Sequence, residues 1–190
     1  MAISALQSLE LMERLHAYDG VAPPKRENDD HMQWVGTFLG VAGVPILVGE
    51  GELAEVIETP RVTPIPGTKP WVLGVAAFKG GLLPILSGDV LFRNRGYTGR
   101  VRDYSMVIKR PGMYFAITLS SVQRDIRFPL EDRIMDHPVD PDFARFTLGG
   151  FKYRGEFLAV LDIDKLVGDE DITNAAAPRD SLVKGKNDEH

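Results

Sequence analysis

The chain contains no cysteine. That removes disulfides, thiolate nucleophiles and cysteine zinc sites together. A chain free of disulfides fits a reducing compartment, so the expected location is the cytoplasm. Long apolar runs are also missing. None approaches the ~20 residues that a spanning helix requires, and no direct membrane insertion is expected. The first residues lack a basic segment followed by an apolar block, so no signal peptide is read there. Basic charge is not in excess: 27 acidic residues outweigh 22 basic ones, for a net charge of −5. Lysine and arginine are scattered, without the footprint that nucleic-acid binding needs, so no nucleic-acid partner is expected. Histidine is scarce. His16, His31, His137 and His190 have no metal-ligand spacing to one another. No Walker or dinucleotide glycine loop occurs. Asp132, Asp136, Asp140 and Asp142 do not follow the EF-hand pattern and read as a solvated loop. Ser120-Ser121 has no nucleophile-elbow context. The expectation is a protein without catalysis, metal or cofactor.

What the chain does have is a repeat. VLGVAAFKGGLLPILSGDVLF, from Val72 to Phe92, is written again 75 positions later as TLGGFKYRGEFLAVLDIDKLV, from Thr147 to Val167. Without a gap, Leu73, Gly74 and Gly80 fall on Leu148, Gly149 and Gly155. Leu83, Leu86, Asp89 and Leu91 fall on Leu158, Leu161, Asp164 and Leu166. Phe78-Lys79 meets Tyr153-Arg154, aromatic then basic in both. Each copy reads as strand, turn, strand and a short helical turn. The glycine at each turn supplies the positive φ of a tight hairpin. The returning runs LLPIL and FLAVL are continuously apolar, as for strands covered on both faces. The spacing is too long for a solenoid and suits two similar small β-barrels.

Around the repeat the chain divides simply. Residues 4–18 read as an amphipathic helix with Ala5, Leu9, Leu11, Met12 and Leu15 on one face, docked on its own domain or offered to a partner. Residues 19–31 form a polar linker, so 1–31 is expected to be dispensable for folding. The body spans 32–168. Gln33–Gly40 and Val44–Gly49 read as strands, and residues 52–57 fit either a short strand or a helical turn. Tyr104–Lys109 and Met113–Leu119 flank Pro111-Gly112, a hairpin signal. Val122–Phe128 is a further strand, and Pro129–Phe146 a long acidic loop. Residues 169–190 read as a polar, disordered tail. At 190 residues with 44% hydrophobic content, one domain or two packed subdomains can bury an ordinary core.

The stretch from Gly51 to Leu86, GELAEVIETPRVTPIPGTKPWVLGVAAFKGGLLPIL, resembles the CheW-like adaptor domain of bacterial chemosensory systems. The resemblance lies in an apolar-Glu-apolar segment, a proline-rich loop, W-V-x-G-V, a turn like N-L-R-G, and an L-P-hydrophobic strand. It covers roughly residues 33–168. The N-terminal extension and the run WVLGVAAFKGGLLPIL look more like the CheW-type proteins of type IV pilus (twitching motility) systems than the flagellar ones. The resemblance implies a mainly β fold of two intertwined, SH3-like, five-stranded barrels. It implies a non-catalytic adaptor coupling the cytoplasmic tips of methyl-accepting chemoreceptors to a CheA-type histidine kinase, recruited to membrane-associated receptor arrays. Flagellar chemotaxis or another scaffold role is the alternative. Carried over by position, the receptor-facing residues are Leu53, Glu55 and Lys79. Two positions depart from the family pattern. Lys79 stands where the family has arginine, keeping the charge without the planar fork. Ser87-Gly88 replaces the usual Asp-Leu, so an altered closing turn in the first barrel is expected, and with it an altered kinase-facing surface.

Overall fold

The strands follow the apolar runs closely, and their burial shows why so many run without polar interruption. The computed structural model describes residues 32–93 and 101–174. The expected N-terminal helix, its linker and residues 175–190 lie outside these. In order come β1 (Gln33–Val41), β2 (Val44–Gly49), β3 (Glu55–Glu58), β4 (Val72–Phe78), β5 (Gly81–Leu86) and a helical turn α1 (Gly88–Arg93). Then follow β6 (Tyr104–Arg110), β7 (Met113–Leu119), β8 (Ser121–Pro129) and a 3₁₀ turn at Leu130–Asp132. Last come α2 (Pro141–Ala144), β9 (Thr147–Tyr153), β10 (Glu156–Leu161), α3 (Ile163–Val167) and α4 (Glu170–Thr173). The segment that fitted strand or helical turn is therefore a strand from Glu55 onward, paired with β6.

Two five-stranded sheets result. One runs β8-β1-β2-β10-β9 and the other β3-β6-β7-β5-β4. The second is made of consecutive strands, while the first is begun by β1 and β2 and finished by β8 to β10. That is the sense in which the halves intertwine. Each sheet also curls until its ends meet. Thr63, just after β3, bridges Val75 of β4, and Ile134, just after β8, bridges Gly150 of β9. Val75 and Gly150 are the same column of the repeat. Both copies carry a register slip just before it, between Val72 and Gly74 and between Thr147 and Gly150. A Cβ on Gly74 would stand 2.1 Å from the Thr63 carbonyl oxygen, and one on Gly149 2.6 Å from that of Ile134. Glycine is required there because the closing segment passes where a side chain would be.

The alternation of side chains across a strand distributes the core. Phe38, Leu47, Phe128, Phe151 and Leu158 fill the first barrel. Leu83, Ile85, Val107 and Ala116 fill the second. The opposite faces of the same strands, including Leu39, Ile46, Val48, Met106, Ile108 and Ile117, meet in a shared core between the sheets. Strands buried on both faces read as continuous apolar runs; FLAVL follows this from Leu158 onward, whereas in LLPIL Leu83, Ile85 and Leu86 are buried but Leu82 is 69% exposed.

The repeat is structural. β4, its turn, β5 and α1 correspond in position to β9, its turn, β10 and α3. Both hairpins close with two residues: Phe78 pairs Gly81 around Lys79-Gly80, and Tyr153 pairs Glu156 around Arg154-Gly155. Lys79 (φ 47°) and Arg154 (φ 53°) share the left-handed region with the glycines that follow them. Positive φ at both central positions is the type I′ geometry that matches strand twist.

The first described residues of the expected polar tail are folded: Asp169 caps α4 by accepting from the Asp171 amide. Ile172, only 4% exposed, enters the shared core. One apolar residue in a polar stretch leaves no periodicity to read, yet it suffices to dock a turn.

Candidate partner-binding site

Of the three residues singled out by resemblance, Glu55 and Lys79 meet at the closing seam of the second barrel, and Leu53 lies near Glu55 in the chain. Lys79 stands at the β4–β5 tip, and Glu55 opens β3 at the other end of the same sheet. Because the sheet curls, Lys79 Nζ reaches Glu55 Oε1 at 2.5 Å. The lysine side chain remains 62% exposed and the glutamate 32%. Lys79 Nζ also lies 5.2 Å from the centre of the Phe78 ring, a cation–π contact that further steadies the ammonium. Leu53 is two residues upstream of Glu55. It is half-buried and packs against the shared core, so only part of its surface is offered.

Leu53, Glu55 and Val56 form one wall of a groove of about 220 Å³. Val35 of β1, Glu50 of the β2–β3 crossover and Asp125 of β8 are on its other sides. The groove therefore lies between the sheets, lined by apolar Val35, Leu53 and Val56 and by acidic Glu50, Glu55 and Asp125. Lys79 is not part of its lining. Thr37 donates to Asp125 at 2.8 Å, which orients that carboxylate.

The crossover carrying Leu53 is held by a residue that sequence reasoning did not select. Arg110, at the end of β6, donates from Nη1 to the Glu52 carbonyl oxygen at 3.1 Å and from Nη2 to the Glu52 carboxylate. Its Nε donates to Asp164 of α3 at 2.9 Å. The hydrogen bond to Asp164 raises the Arg110 pKa above its ordinary value, against the opposing effect of burial. The matching acid in the first copy, Asp89, accepts two bonds at 2.9 Å from Arg102, whose pKa is raised chiefly by that contact. The shared Asp89/Asp164 column was the available signal. The arginines could not be paired with it from sequence, since Arg110 is 54 residues from Asp164.

The Ser87-Gly88 departure does not disrupt the closing turn. Ser87 Oγ accepts from the Val90 amide at 3.3 Å, where Asp162 accepts from Asp164 and Lys165. A shorter cap does the same work at the start of the helical turn. Gly88 donates to Thr118 Oγ1 at 3.0 Å, and a Cβ there would stand 2.5 Å from the Thr118 carbonyl oxygen. Glycine lets α1 sit close on β7. Both residues are buried, so neither forms an outer contact surface itself.

Residues 42–171 match the CheW-like domain. The chain belongs to the CheW-like domain family. A similar protein is Protein PilI of Pseudomonas aeruginosa, 43% identical over 53 residues. That alignment takes in 28% of this chain and 30% of the relative, so under a third of the relative's length is spanned. Among solved structures, the scaffolding protein TtCheW of Thermoanaerobacter tengcongensis superposes with a TM-score of 0.59 at 17% identity, over 69% of this chain and 90% of that one. At that identity the likeness is one of fold. Among the described residues, no three His, Asp or Glu side chains converge as a metal would require, and no helix is long and apolar enough to cross a membrane.

Proposed function

We propose that this CheW-like chain is a non-catalytic chemosensory adaptor that couples the cytoplasmic tips of methyl-accepting chemoreceptors to a CheA-type histidine kinase. The observation that supports the reading is the seam: of the residues chosen by family position alone, Leu53 and Glu55 line one groove, and Lys79 pairs with Glu55 at its side. A rigid hairpin presenting charge beside partly exposed apolar area is suited to recognition, because little conformational freedom is lost on binding. The apolar part supplies affinity, and the rim charges govern encounter and partner choice. The PilI similarity favours an output in twitching motility over flagellar chemotaxis, which is the second reading.

The test uses the full chain and two probes: a soluble chemoreceptor fragment carrying the cytoplasmic tip, and the CheA-type kinase of the same cell. Lys79→Glu sets a carboxylate against Glu55 and reverses the rim charge. Binding to at least one probe should weaken by ~10-fold or more. The melting midpoint should move by no more than ~3 °C, because the side chain is exposed and surface pairs contribute little. Wild-type affinity for both probes would refute the assignment of this seam.

A further inference from the structure

We propose that Arg110 is the positioning residue of the binding segment, fixing Glu52, and so Leu53 and Glu55, to both sheets at once. The inference rests on the reading of Leu53, Glu55 and Lys79 as the contact site.

The crossover from β2 to β3 has few bonds of its own. Glu52 donates to Gly49 at 3.1 Å, closing a turn, and Ala54 donates to Val107 at 2.9 Å, where pairing with β6 begins. Between these points the main chain is secured by Arg110, through the Glu52 carbonyl. The same guanidinium takes the Glu52 carboxylate, the Lys109 carbonyl at 3.2 Å and the Asp164 carboxylate. Its acceptors come from the crossover, from its own strand in the second barrel and from α3, which follows β10 of the first. The Pro111-Gly112 turn directly after it, with Gly112 at φ 75°, restrains its backbone. The Arg110 side chain is 22% exposed, while Asp164 is 79% exposed. An isolated pair with so exposed a carboxylate adds little. What matters here is the planar fork, which satisfies several acceptors in fixed directions. A lysine keeps the charge but cannot span them. The groove wall formed by Leu53 and Glu55 therefore takes its position from Arg110.

The experiment compares Arg110→Lys, Asp164→Asn and Lys79→Glu in the full chain. It measures peptide-resolved deuterium uptake, melting midpoint and affinity for the chemoreceptor tip fragment. In Arg110→Lys, uptake over residues 52–58 should rise about tenfold while β7 stays protected, affinity should fall about tenfold, and the midpoint should stay within ~3 °C. Asp164→Asn removes the charge of one exposed acceptor without touching the core and should shift both readouts the same way by less. Lys79→Glu should lose affinity without faster uptake. Unchanged uptake and affinity in Arg110→Lys, beside a binding loss in Lys79→Glu, overturns the positioning role. Faster exchange throughout the body with a collapsed midpoint also overturns it, leaving a general structural part. Wild-type binding by Lys79→Glu overturns the site reading instead.

Discussion

Lys79 and Glu55 present a closed pair to solvent, not two bare charges, and this changes what a partner can read. If recognition depends on the pair, exchanging its signs should preserve more than removing one. Lys79→Glu combined with Glu55→Lys is expected to recover at least half of the binding free energy lost by Lys79→Glu alone. Titration of the two single variants and the double variant, as a coupling cycle, checks this. No recovery would mean that the partner senses each sign separately. Lysine at this position has a second consequence. It sits at φ 47°, where residues other than glycine carry strain. The type I′ turn keeps the side chain at the tip regardless, so Lys79→Arg should bind at least as well as wild type, its fork being able to take both Glu55 oxygens.

Among the elements, the hairpins are the most legible from sequence and the seams the least. Turn chemistry is local: Lys79-Gly80, Pro111-Gly112 and Arg154-Gly155 each announce a reversal within two residues, and each is one. Barrel closure depends on single bridges, Thr63 to Val75 and Ile134 to Gly150. A bridge one residue long has no pattern to read. Its only trace was the invariance of Gly74 and Gly149 across the repeat. The same limit hid Arg110, whose acceptor Glu52 is 58 residues away. It also hid the role of Gly88, which is decided by the nearness of β7. By contrast, Leu53, Glu55 and Lys79 were selected through resemblance, and the meeting of Glu55 with Lys79 needed the fold. A graded set of substitutions tests the element-level account. Gly80→Ala meets nothing within 4 Å and carries only its φ of 78°, so it should cost ~1 kcal/mol. Gly74→Ala adds a collision with the Thr63 backbone and should cost ~3 kcal/mol or more. Urea unfolding of the two variants gives the comparison, and equal losses would contradict the closure role of Gly74.

At the scale of the whole molecule, the shared core outweighs the ion pairs at its margin. A fully buried Leu or Ile contributes about 1.5–3 kcal/mol, against ~0–1 kcal/mol for an exposed pair. Ile172 reports on this from the far end of the body. Ile172→Ala should lower unfolding free energy by about 2 kcal/mol. A loss under ~0.5 kcal/mol in urea titration would place α4 outside the cooperative unit. The order of the sheets has a bearing on birth as well as on stability. Gly40 waits for Ser121, and Leu47 for Val160, before the first barrel can pair. The second barrel needs only β3 to β7, which emerge from the ribosome one after another. During synthesis the inner half of the chain should thus become protease-resistant first. The earliest-made hairpin, β1–β2, keeps its β1 edge open until β8 is made and its β2 edge open until β10 follows. That hairpin is the segment of this protein most in need of a chaperone.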